Sequence, residues 1–87
     1  MMISDAEVER QFNALVMAAM ELLPGESFDE AHHYMDHREL ELALDTISAM
    51  LSQAGKRASP DLYAKFLTLA KGVGIEASFW DAVLPLT

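Results

Sequence analysis

Tyr34-Met35-Asp36-His37-Arg38-Glu39-Leu40-Glu41-Leu42-Ala43-Leu44-Asp45 is the stretch whose reading decides the fold. On its C-terminal side, Leu40, Ala43, Leu44, Ile47 and Leu51 recur at helical spacing. They predict a core-facing stripe on a helix spanning residues 38 to 53. Glu41, Asp45, Ser48 and Ser52 recur at the same spacing on another side, which predicts a wet and negative face. On its N-terminal side, Ala31, Tyr34 and Met35 belong to a shorter helix over residues 28 to 36. Neither Gly nor Pro separates the two, so one continuous helix is the alternative. The apolar phase slips, however: Ala31 and Met35 project to Glu39, whereas the next stripe begins at Leu40. That slip favours a bend near His37-Arg38.

Helix starts punctuate the rest of the chain. Ser4-Asp5-Ala6-Glu7 reads as a capping box, with Ser4 accepting from the Glu7 N–H and Glu7 reaching back. The helix it opens runs to about residue 23. Val8, Phe12, Leu15, Ala19 and Leu22 form its inner face, widened by Val16, Met20 and Leu23, and Pro24-Gly25 stops it. Ser27-Phe28-Asp29-Glu30 is a second box. Gly55 supplies a left-handed stop for the central helix. Ser59-Pro60-Asp61 predicts another start, with Ser as cap and Pro in the first turn. That helix runs to Gly72 or Val73, with Leu62, Phe66, Leu69, Ala70 and Val73 inward. Ser78-Phe79-Trp80-Asp81 is the last cap signal, and Phe79, Trp80 and Val83 are expected to close the bottom of the core. No convincing alternating strand occurs. The expectation is one all-α domain over residues 1 to 87, a small bundle of four to five short helices with roughly antiparallel neighbours.

Composition narrows the function. The 87 residues carry a net charge of -8, unevenly distributed. Residues 1 to 54 hold eleven acids and two bases; residues 55 to 87 hold three acids and four bases. The first half therefore repels DNA, RNA and anionic membranes, and suits a basic protein surface. Charge for solubility alone is the plainer explanation of the same numbers. Cysteine is absent, so disulfides, thiolate metal sites and cysteine nucleophiles are excluded. The Met1-Met2-Ile3-Ser4 start lacks the basic residues of a signal peptide, and the apolar run from Ala14 to Met20 is too short to span a bilayer. Both fit a cytoplasmic protein.

His32, His33 and His37 fall within six residues. His33 and His37 are four apart on one helical face, a spacing that suits two-imidazole coordination, with Asp36 and Asp29 nearby. The ligand set is incomplete for structural zinc, so surface histidines beside acids are the expectation, with no metal and no cofactor. Glu39, Glu41 and Asp45 would need an enclosing pocket to act as catalytic carboxylates, and a chain this small has little room for one without a partner. No phosphate loop, nucleophile elbow or Ser–His–Asp pattern occurs, and the chain does not read as an enzyme. The expected partner-binding residues are Asp29, Glu30, Tyr34, Asp36, Glu41 and Asp45, with Tyr34 as aromatic anchor. The second reading is a self-associating helical protein of structural or regulatory role, a possible homodimer.

The run from Tyr34 to Asp45 also resembles the MafI-type immunity proteins of bacterial polymorphic toxin systems. Those small acidic proteins carry a similar Tyr-aliphatic-x-His-x-Glu-x-Glu-Leu-Ala run between a short helix and a long one. The likeness spans about residues 28 to 75 by pattern. The matching positions are Tyr34, His37, Glu39, Glu41 and Ala43, and Arg38 stands where the family more usually has Gly. The resemblance implies a non-enzymatic cytoplasmic inhibitor that binds a cognate toxin, with Tyr34 and Ala43 holding the helix junction.

Overall fold

A computed structural model describes residues 3–76 of the chain. These residues form four helices: α1 (Asp5–Leu22), α2 (Asp29–Asp36), α3 (Leu40–Gln53) and α4 (Pro60–Gly72). The expected final start at Ser78-Phe79-Trp80-Asp81, and with it a fifth helix, lies outside the described residues. None of the four is long and apolar enough to cross a membrane.

The caps form largely where the sequence places them. Ser4 Oγ accepts from the Glu7 N–H and Ser59 Oγ from the Leu62 N–H, both at 3.2 Å, and Pro60 opens α4. Two details differ. The Glu7 carboxylate does not reach back to Ser4. It pairs instead with the Arg10 guanidinium and with Gln11 Nε2 at 2.9 Å, and these charge-assisted bonds hold its pKa down to about 2, Arg10 contributing most. Ser27 Oγ accepts from Asp29 rather than Glu30, and α2 starts one residue late. Phe28 is the reason: it is 6% exposed, turned into the core.

The ends of α2, α3 and α4 follow one device. After α3, Lys56 N–H donates to Leu51 O and Gly55 N–H to Ser52 O. After α4, Ile75 N–H donates to Ala70 O and Gly74 N–H to Lys71 O. Both are paired 6→1 and 5→2 bonds around a left-handed residue, and glycine fills that place at φ 68° and 80°. After α2 the pattern repeats, with Glu39 N–H to Tyr34 O at 2.8 Å and Arg38 N–H to Met35 O at 3.0 Å. Here the left-handed residue is Arg38, at φ 60°. The bend is therefore real, and α3 begins at Leu40 rather than at Arg38. An arginine in this region costs about 1–2 kcal/mol relative to right-handed backbone. Its guanidinium does bond Asp5 Oδ2 at 2.8 Å, but both side chains are about 80% exposed, and such pairs contribute little. Arg38→Gly should therefore raise stability by about 1 kcal/mol, allowing for glycine's greater unfolded freedom. Urea unfolding of the two proteins checks this.

The extensive helix contacts are α2 on α3 and α1 on α4. The main partner of α1 is thus the last described helix, not the next one in sequence. The chain ahead of α1 reinforces the link. Ile3 N–H donates to Gly72 O at 2.9 Å, and a Cβ on Gly72 would stand 3.0 Å from Ile3 Cδ1. A single apolar cluster joins all four helices. Phe12, Leu15, Leu44, Ile47, Leu51, Leu62, Phe66 and Leu69 are its largest sealed members.

Two residues lie on the other side of the surface from the expected one. Met20, expected in the core, is 50% exposed on α1, near Met17 at 68%. Ser48, expected on the wet face of α3, is 3% exposed, and its Oγ has no hydrogen-bond partner among the described residues. An unpaired hydroxyl sealed from water costs about 1–3 kcal/mol, so Ser48→Ala should stabilise the protein by about 1 kcal/mol or more. The midpoint of thermal unfolding reads this directly.

Candidate functional site

Two adjoining depressions run along the outer side of α3 beside α2. The larger, about 580 Å³, is lined from α2 by Glu30 and Tyr34 and from α3 by Leu42, Asp45, Thr46, Ala49, Met50 and Gln53, among others. The smaller, about 330 Å³, shares Glu30, Thr46, Met50 and Gln53 with it and extends to Glu26, Ser27 and Ala54. The two make one continuous groove. On α3 the lining positions 42, 46, 49, 50 and 53 follow the rhythm of one helical face turned away from the stripe that enters the core, and Asp45, Ser48 and Ser52 widen that face along one side.

The chemistry of this face is simple. Its floor is short or apolar: Leu42, 44% exposed, with Ala49, Met50 and the half-buried Tyr34 ring. Thr46 Oγ1 is already bonded to Leu42 O at 2.8 Å, which takes that hydroxyl out of service as a donor. The charged members are Glu26, Glu30 and Asp45, and the lining contains no Lys, Arg or His. None of the three acids has an ion-pair partner among the described residues. Their field is uncompensated locally.

Of the six residues expected to meet a partner, Glu30, Tyr34 and Asp45 come together in this groove. Asp36 lines a different hollow of about 450 Å³, with Asp5, Glu9, His32 and Arg38 around a floor that includes Val8, Phe12 and Met35. The Asp5–Arg38 ion pair partly neutralises that hollow from within. Glu41 lines a third, beside Glu39 and Ile75, and Asp29 is exposed but belongs to none of these. The split is geometric. At 100° per residue Glu30 and Tyr34 share one side of α2, whereas Asp29 and Asp36 share another. Leu42, Thr46, Ala49 and Gln53 went unassigned in the sequence. The signal was there: they recur at helical spacing off both the apolar and the acidic stripes.

The histidines separate as well. His32 turns inward and meets the Phe12 ring edge-on at 5.5 Å. His33 and His37 stay on the surface with ring centroids 4.4 Å apart. His37 Nδ1 lies 2.9 Å from the His33 carbonyl oxygen, a contact that places the proton on Nδ1 and leaves Nε2 facing outward. Among the described residues no three His, Asp or Glu side chains converge closely enough to share an ion. Glu39 and Glu41 are exposed, in contact with water rather than enclosed.

No family model, curated protein or solved structure matches this chain.

Proposed function

We propose that the chain is a protein-binding module that docks a basic surface of another protein through its acidic first half. Its α2/α3 groove is the centre of that contact. The observation that carries this reading is the combination of three unpaired acids with a short, partly apolar floor in one depression. Long-range attraction then accelerates encounter, and burial of Tyr34, Leu42 and Met50 slows release. The resemblance around Tyr34 to Asp45 makes the reading more concrete: a cytoplasmic immunity protein that neutralises a cognate toxin by binding it, without catalysis of its own.

The test uses the protein encoded beside this chain, above all a large secreted protein with a variable C-terminal domain. That domain is expressed with this chain, and association is followed by stopped-flow at rising salt. The expected result is an on-rate that falls by about tenfold or more between low and high salt, and falls similarly when Glu30 and Asp45 are changed to Lys. A rate indifferent to salt and to both substitutions overturns the proposal.

A second reading draws on a separate observation. Met17 and Met20 expose apolar surface on α1, away from the groove. A second copy covering them would make the chain a homodimer of structural or regulatory role. Sedimentation equilibrium of Met17→Glu beside the parent protein decides it; a parent that stays monomeric at high concentration removes this reading.

A further inference from the structure

The proposed binding role leaves open what kind of segment the partner offers, and the shape of the groove narrows it. Three modes of peptide recognition are common: strand addition at a sheet edge, a helix laid in a groove, and extended proline-rich docking on aromatic surfaces. The first needs an unpaired strand, and the described residues contain none. The third needs a track of aromatic rings, and Tyr34 is the only one in the lining. The second needs a straight furrow with regular knobs and small residues that let another helix approach.

That last description fits. Leu42 and Gln53 mark the two ends of the α3 stripe, about 17 Å apart at 1.5 Å per residue. Between them, Thr46 and Ala49 are short, while Leu42 at one end and Met50 near the other supply the larger apolar contacts of the floor. The length equals about three helical turns of a partner. Ridges of an incoming helix would settle between the rows of α3 and α2, as one helix seats on two in a bundle. Glu26 and Glu30 lie on the α2 side and Asp45 on α3, so acids bracket the seat. The complementary helix carries an apolar stripe flanked by lysine or arginine on both sides.

We infer that the α2/α3 groove receives one amphipathic, cationic helix of about three turns from the partner protein, with its apolar stripe over Leu42, Ala49 and Met50 and its bases beside Glu30 and Asp45. The inference rests on the binding role proposed above and specifies its partner.

The experiment uses the full chain labelled with nitrogen-15 and three synthetic peptides of about 18 residues, long enough to become helical when bound. The first places leucines at i, i+3, i+4 and i+7 with lysines flanking them. The second has the same composition with the order scrambled, so that no face is apolar. The third replaces every lysine of the first with glutamate. The first is expected to shift the amide signals of Leu42, Thr46, Ala49 and Gln53, and to bind about tenfold tighter than the second. The third should leave the spectrum unchanged. Ala49→Arg alters an exposed helical position without touching the core, and circular dichroism shows that it stays folded. It should remove the preference for the first peptide over the second.

Equal binding of the first and second peptides would overturn the helix inference while leaving a charge-driven docking surface intact. Groove signals that ignore both cationic peptides would overturn the docking surface as well. Groove signals that move with protein concentration alone would assign the seat to a second copy, and would also overturn the inference.

Discussion

Phe66→Ala should lower the free energy of unfolding by about 3–5 kcal/mol. Phe66 is fully sealed on α4, in the same apolar cluster as Phe12 and Leu15 of α1. Truncation removes most of a ring's transfer free energy and leaves a hollow that the α1–α4 pair cannot collapse into, because Ile3 ties the two together at Gly72. Domains of this size carry about 5–15 kcal/mol in total, so the variant should be near the edge of folding at room temperature. Urea titration followed by far-ultraviolet circular dichroism gives the number. A loss under about 1 kcal/mol would mean that Phe66 is not the packed residue described here.

Ala43→Leu should be costly for the opposite reason. Ala31 on α2 and Ala43 on α3 are both completely buried, in the pair of helices that pack on each other across the short junction. Their small size lets the helix backbones approach. Extra carbons at position 43 have no free volume to enter, and forcing them in costs about 1–3 kcal/mol. Ala49→Leu on the same helix is the control. It adds the same atoms to the open groove and should change stability by no more than about 0.5 kcal/mol. If the two substitutions cost the same, the α2–α3 contact is looser than its sealed alanines indicate.

The helices were legible because their ends carry chemistry that a sequence displays. Ser4, Ser59 and Pro60 each satisfy or remove an orphan N–H, and Gly55 removes a steric penalty. Arg38 was not legible as a turn residue, since its side chain contributes nothing to the left-handed geometry. The bond pattern of its neighbours holds it there, and only the phase slip hinted at it. Ser48 and Met20 show a different limit. Residue type suggested water for one and core for the other, but the buried arc of a helix is set by the helices around it. Neighbours cover α3 widely enough to seal Ser48, while the outer side of α1 near Met20 is left uncovered. The candidate site was half legible. Acid, aromatic and helical spacing named Glu30, Tyr34 and Asp45. Which acids share a depression depends on how α2 is rotated against α3, and Asp29, Asp36 and Glu41 fell elsewhere.

The pairing of α1 with α4 bears on how the molecule is made. A chain emerging from a ribosome can close the α2–α3 hairpin early, since its contacts are near in sequence and cheap in loop entropy. The first helix cannot complete the burial of its apolar side until α4 has been synthesised, because that chief companion begins only at Pro60, well after α1 ends at Leu22. During that interval Phe12, Leu15 and Val16 are open to water and to other nascent chains. Slower translation through α4 would lengthen that exposure, and a chaperone that shelters short apolar helices would shorten it.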